Sequence, residues 1–208
     1  MKGSVQMTIR RRLLLAAMAA PACAPVLLAA CATSAPKVTP PDYIEPGFDM
    51  RTVDLLTIAP VLDLRVDRSE RLPLDDLVQK HAALLLGVRG YAAKPVTERE
   101  GLAALEGSGR VEVLAEAVKG YRIADASRWV MVFALVDYAA KLTFGSTGNA
   151  EMVAFVLDQS SGRLVWRHRA LGQFWQGGLV GMMLKSQAGG IAVQSAAESL
   201  IDAVPPKR

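Results

Sequence analysis

Apolar and polar positions along the chain fall into a few patterns, each of which predicts an element. Val53–Val61 (VDLLTIAPV) is a nearly continuous apolar run closed around Pro60, before the charged stretch Asp63–Arg71, and predicts a short buried strand. Beyond Pro73, the residues Leu74, Leu77, His81, Leu84 and Val88 return at spacings of three and four, predicting a helix with all five on one face. Asp75 and Asp76 in its first turn suit the positive end of the helix dipole, and Gly87 and Gly90 mark its exit. Tyr91–Val96 predicts a second strand. Thr97–Glu106 and Val111–Lys119 predict short helices, the latter with Val111, Leu114, Ala115 and Val118 inward.

Arg128–Phe144 (RWVMVFALVDYAAKLTF) follows Ala124-Asp125-Ala126 and is apolar on both alternating faces. Trp129, Met131, Phe133 and Leu135 form one face; Val130, Val132, Ala134 and Val136 form the other. A strand buried on both faces belongs in the middle of a sheet. Gly145–Asn149 predicts a turn, Glu151–Asp158 a returning strand and Gln159–Gly162 another turn. Arg163–Ala170 alternates more cleanly, with Leu164, Trp166 and His168 on one face and Arg163, Arg167 and Arg169 on a wet one. After a Gly-rich section, a helix is predicted from Ile191, with Ile191, Ala192, Ala196, Leu200, Ile201 and Val204 inward, stopped by Pro205-Pro206. The expected fold is α+β: a mixed sheet of about five strands, from a strand–helix–strand unit and an antiparallel three-strand meander, with packed helices.

The first 30 residues change the picture of charge. They hold Lys2, Arg10, Arg11 and Arg12 and no acid, so the formal +4 belongs to them. The rest of the chain carries 20 basic and 20 acidic residues, which removes the global argument for nucleic acid or an acidic substrate. Arg10-Arg11-Arg12 precede an apolar stretch, Leu13–Ala20 and Val26–Ala30, broken by Pro21 and Pro25. It is too short for a spanning helix of about 20 residues and reads as a signal peptide over residues 1–30. The arginine run also has some likeness to a twin-arginine export signal.

Leu28-Ala29-Ala30-Cys31 has the aliphatic and small residues of a lipobox, so Cys31 is expected to become an acylated N-terminus carrying a diacylglycerol and an N-acyl chain. In lipoproteins of this type an aspartate after the cysteine retains the protein at the inner membrane. Ala32 stands there instead, and by that resemblance the outer membrane is expected, with the domain in the periplasm. Residues 31–49 include Pro36, Pro40, Pro41 and Pro46 and read as a tether ahead of one domain over 50–208.

Four pieces of the domain resemble a known fold group. Leu55–Val61 (LLTIAPV) is similar to its opening strand, and Leu84–Val96 (LLLGVRGYAAKPV) to its helix ending in Gly-Tyr before a second strand. Ile123–Val132 (IADASRWVMV) is similar to the lead-in of its central strand, and Val156–Trp166 (VLDQSSGRLVW) to its Asp…Gly…Leu-x-Trp hairpin. The chain thus resembles small outer-membrane lipoproteins of the group formed by the curli-secretion lipoprotein, the TolB N-terminal domain and LpoB. It departs from the curli-secretion pore, which inserts long amphipathic hairpins: the one long strand expected here is apolar on both faces.

Candidate chemistry is sparse. Both cysteines, Cys23 and Cys31, lie in the leader region, so the domain has no disulfide framework and no thiolate. His81 reads most simply as a core histidine and His168 as a packed or rim one, since no nucleophile motif accompanies it. Asp137 interrupts an apolar strand, either as a buried acid or in a turn or ion-pair role. Asp158 and Gly162 suit the hairpin turn, and Gly87-Val88-Arg89-Gly90 suits a helix exit better than a nucleic-acid clamp. No catalytic residue, metal site or cofactor site is expected. Candidate partner contacts are Phe174, Trp175, Leu179, Val180, Met182 and Met183, where glycines and methionines give an adaptable apolar surface, and Arg163, Arg167 and Arg169. The expected role is a non-enzymatic accessory or scaffold subunit of an envelope assembly or secretion system. The expected partners are membrane lipid, through the anchor, and envelope proteins or another copy of the chain. Alternatives are an oligomeric export component and a peptidoglycan-associated regulator.

Overall fold

The computed structural model describes residues 39–99, 106–109, 111–118, 121–123, 127–143 and 145–207. The strands are β1 (Tyr43–Ile44), β2 (Leu55–Ile58), β3 (Leu62–Asp63), β4 (Ala92–Pro95), β5 (Trp129–Thr143), β6 (Gly145–Asp158) and β7 (Arg163–Gly177). The helices are α1 (Lys80–Val88), α2 (Val111–Ala117), α3 (Gly178–Met183) and α4 (Lys185–Asp202). The seven strands form one mixed sheet in the order β1-β7-β6-β5-β2-β4, with β3 also paired to β5. The expected α+β architecture is present: β2 and β4 run parallel on either side of α1 in sequence, and β5, β6 and β7 form the antiparallel meander.

The sheet is covered on both faces. Met131, Phe133 and Leu135 of β5 and Met152, Ala154 and Val156 of β6 pack with Leu86 of α1 and with Ala192, Ala196 and Leu200 of α4. On the other face Val130, Val132, Val153 and Phe155 pack with Val111, Leu114 and Val118 around α2. The central position and two-sided burial of β5 thus follow directly from its double apolar alternation.

Several expectations need correction. The helix from residue 75 opens with a π-helical turn, Asp75–Gln79, which carries both Val78 and Gln79 inward. The inward set is therefore Leu74, Val78, Ala82 and Leu86, while Leu84 and Val88 are exposed and His81 sits at the rim. The extra residue in that turn shifts the face away from the three-and-four pattern. Buried Gln79 donates from Nε2 to the carbonyls of Ile58 (2.9 Å) and Val96 (2.7 Å), tying the helix to the ends of β2 and β4.

Gly145–Asn149 is not a turn but the first part of β6, paired with both β5 and β7. The small residues serve close packing there: α4 lies so near that a Cβ on Gly148 would overlap the Ala188 carbonyl, and one on Gly172 the Ala192 carbonyl. All three meander strands are consequently long, not β5 alone.

A bulge in β7, where the register shifts between Val156 and Leu157, breaks the alternation around Val165. Leu164 faces the α2 side, while Val165 and Trp166 both enter the α4-side core. Leu164 therefore does not share a face with Trp166, and Arg163 does not continue the Arg167–Arg169 stripe.

The fold also takes in the end of the Pro-rich segment. Tyr43 and Ile44 pair with Arg167 and Trp166, Glu45 N–H donates to the Val165 carbonyl (2.9 Å), and Phe48 packs on Trp129 at 5.3 Å. The predicted helix over 97–106 is irregular at 97–99, and residues 100–105 lie outside the described set. Helix α4 starts at Lys185, six residues before the predicted Ile191, and Ile191 is only half-buried.

Candidate functional site

The predicted lipid anchor, Cys31, lies outside the described residues, as do Cys23 and the Ala124-Asp125-Ala126 lead-in. Among the predicted contact residues, six meet at one end of the sheet. β7 ends at Gly177, and α3 follows at once. Phe174 turns into the core beside α4. Trp175, one position on, points from the opposite sheet face and is 74% exposed.

Helix α3 is fastened through its backbone. Gly181 is its buried residue, and a Cβ there would overlap the Gln176 carbonyl. Ser146, fully buried on β6, donates from Oγ to the Gly181 carbonyl at 2.5 Å. With Gly181 inward, the other positions face out: Leu179 (77% exposed), Val180, Met182 and Met183 (82%). Residues 177–184 read Gly-Gly-Leu-Val-Gly-Met-Met-Leu, with no polar side chain among them. An ordinary surface helix would place charged groups outward. Exposed Leu142 of β5 and Leu171 of β7 extend the apolar surface at this end. Neither was singled out from sequence: the register sets Leu142 across from Ser146, which holds α3, and puts Leu171 on the Trp175 face of β7.

The arginines do not act together. Arg163 pairs with Glu45 of the N-terminal strap, the segment 39–48 laid over β7, and Arg169 pairs with Glu151 at 3.0 Å. Arg167 stands opposite Tyr43 of β1.

His168 sits under the N-terminal strap, 1% exposed. Its Nε2 is 3.3 Å from Thr39 Oγ1, and Nδ1 faces Asp42 Oδ1 at 3.8 Å without a hydrogen-bond partner among the described residues. Burial pushes its pKa down, against an opposing pull from Asp42. The Trp166 ring meets it edge-on at 6.0 Å. His81 is a rim residue, 2.9 Å from Glu198 of α4. Asp137 is exposed, beside a second bulge in β5, and accepts the Tyr138 N–H at 2.8 Å. Asp158 serves its turn: Arg128 at 2.6 Å, with Ser160, holds it well below the usual carboxylate range.

A charged cleft beside the π-helical turn contains Arg68, Asp75, Arg99 and Glu106. These four pair with one another: Arg99 bridges Asp75 (2.5 Å) and Glu106 (3.1 Å), and Arg68 joins Glu106 (3.1 Å). Among the described residues no three metal-ligating side chains cluster, and no helix is long and apolar enough to cross a membrane.

The molecule is thus an α+β domain with helices on both faces of a mixed sheet and an apolar cap at one end. Neither a scan against protein families nor a search of curated proteins finds a match. Among solved structures it is remotely similar to the PelC dodecamer from Paraburkholderia phytofirmans, at 12% identity and TM-score 0.45 over 74% of this chain and 89% of that one. Lipoprotein GNA1162 from Neisseria meningitidis is similar at 16% identity and TM-score 0.42, over 64% of this chain and 94% of that one. A minor lipoprotein from Acinetobacter baumannii gives 8% identity and TM-score 0.35, over 71% of this chain and 89% of that one.

Proposed function

We propose that the protein is a lipid-anchored, non-enzymatic accessory subunit of a cell-envelope assembly, held at the outer membrane with its domain in the periplasm. The observation that carries this reading is the lipobox Leu28-Ala29-Ala30-Cys31 behind Arg10-Arg11-Arg12 and a short apolar stretch. Three features support it. The first strand, Tyr43–Ile44, begins twelve residues after Cys31, which leaves only a short link between anchor and fold. The charge left after the leader is balanced, which suits contact with proteins and lipid more than with a polyanion. Arg68, Asp75, Arg99 and Glu106 of the cleft by the π-helical turn pair with one another, and the distinctive exposed surface is the apolar one on α3.

The test is metabolic labelling with palmitate combined with membrane fractionation of wild type and Cys31→Ala. The wild type takes up label and migrates with the outer membrane. The variant loses both. An unlabelled wild type, or a variant that stays in the outer-membrane fraction, sinks the proposal.

A further inference from the structure

We propose that α3 and Trp175 form a second membrane contact, inserting into the same lipid leaflet that holds the acyl chains on Cys31. This rests on the reading of Cys31 as lipidated.

The chemistry of the surface comes first. The outward face of α3 consists of Leu179, Val180, Met182 and Met183, all exposed. It is an outward-facing helical ridge, and residues 177–184 offer no charge or side-chain hydrogen bond to set the register of a protein partner. A lipid leaflet needs neither shape complementarity nor polar matching. It takes apolar side chains from short interfacial helices, and tryptophan concentrates at its boundary. Trp175 stands at the same end of the sheet from the opposite face, with Leu171 behind it. In the sheet, Trp175 lies across from Thr147, which lies across from Lys141. Exposed Lys141 therefore sits at the rim of the apolar tip, where anionic headgroups would meet it. The ridge is also rigid, since Ser146 and the close seat of Gly181 fix the helix to the backbone of β6 and β7.

The length of chain before the fold points the same way. β1 runs antiparallel to β7, so the chain upstream of Tyr43 heads towards the Gly177 end, and Thr39 contacts His168. From His168 to Trp175 is seven strand residues, about 24 Å. From Thr39 back to Cys31 is eight residues, which span at most about 27 Å when extended. Eight residues are therefore long enough for the lipidated cysteine and the apolar tip to reach one leaflet. One leaflet can then hold both, and the second contact sets the domain's orientation as a tether alone would not.

The experiment uses the full-length lipidated protein in vesicles of phosphatidylethanolamine and phosphatidylglycerol, with and without phosphatidylcholine brominated on its acyl chains. Trp166 is buried and Trp129 half-buried, so quenching by bromine reports Trp175. Wild-type emission is expected to shift to the blue and to be quenched. Trp175→Phe should leave residual emission that bromolipid does not quench. The double variant Leu179→Glu, Met183→Glu should keep its far-UV circular dichroism and still float with the vesicles, but lose the quenching. A floating wild type whose emission is unquenched overturns the proposal. So does a concentration-dependent blue shift without lipid that vesicles leave unchanged, which would assign the ridge to a second copy of the chain. Quenching retained in Cys31→Ala would uphold the contact even if palmitate labelling had failed, so the anchor and the contact fall separately.

Discussion

His168 lies beneath Thr39 and Asp42 with one ring nitrogen lacking a hydrogen bond among the described residues, and burial lowers its pKa. The unfolded chain, with an ordinary histidine near 6.5, therefore binds more protons than the folded one as pH falls through that value. The stabilisation is full above about pH 6.5 and is lost progressively below it, down towards the depressed folded value. The expected outcome is a lower urea midpoint at about pH 5 than at about pH 7.5, with a flatter dependence in His168→Gln. Equal slopes in the two proteins would exclude His168 as the source. The sequence placed His168 beside Trp166 on one strand face, and that pairing is present. The strap above it was not legible, because Thr39 and Asp42 lie 129 and 126 positions away and no periodicity links them.

At the scale of elements, Arg89 joins α1 to the end of α4. Its Nε donates to the Val204 carbonyl (2.8 Å), Nη2 to the Asp202 carbonyl (2.9 Å) and Nη1 to Asp202 Oδ1 (3.0 Å). A cation on the last carbonyls of a helix satisfies groups that have no intrahelical partner. Arg89→Ala is expected to cost about 1–2 kcal/mol, the range for charge-assisted bonds discounted for partial exposure. Arg89→Lys should recover only part, since an ammonium cannot reproduce the forked geometry. Urea unfolding of the two variants checks this, and a loss below about 0.3 kcal/mol in Arg89→Ala would remove the clamp. The elements best anticipated were those with strong local patterns: β5, the turn at 159–162 and the inward residues Val111, Leu114 and Val118 around α2. Those misread were the ones shaped by neighbours. The small residues of 145–149 read as a turn until α4 is seen pressing on Gly148, and one bulged residue at Val165 reverses the faces before it.

At the scale of the molecule, two apolar clusters lie on opposite faces of one sheet, and β5 and β6 supply both. Phe133 is fully buried in the α4-side cluster and Phe155 in the α2-side cluster. Phe133→Ala and Phe155→Ala are each expected to destabilise by about 3–5 kcal/mol. Because adjacent residues of the same strands face both clusters, neither can melt while the other stays packed. Both variants should unfold in a single transition by circular dichroism and by tryptophan fluorescence. Two separated transitions would show the faces to be independent.

The sequence by itself determined the things that depend on near neighbours along the chain. The Leu28-Ala29-Ala30-Cys31 pattern is four adjacent residues, strand and helix types follow from short-range alternation, and the balanced charge is a count. The apolar run at 177–184 was visible in the same way, as a stretch without a polar side chain. Whether that run faced inward or outward depended on contacts between distant segments. Gly181 had to find Gln176 and Ser146 before Leu179, Val180, Met182 and Met183 could be turned to the surface. The pairing of β1 with β7 then aimed the upstream chain at that same end. Only the folded chain turns the segment before Tyr43 towards the end of the sheet that carries the apolar ridge, because strand pairing joins residues more than a hundred positions apart.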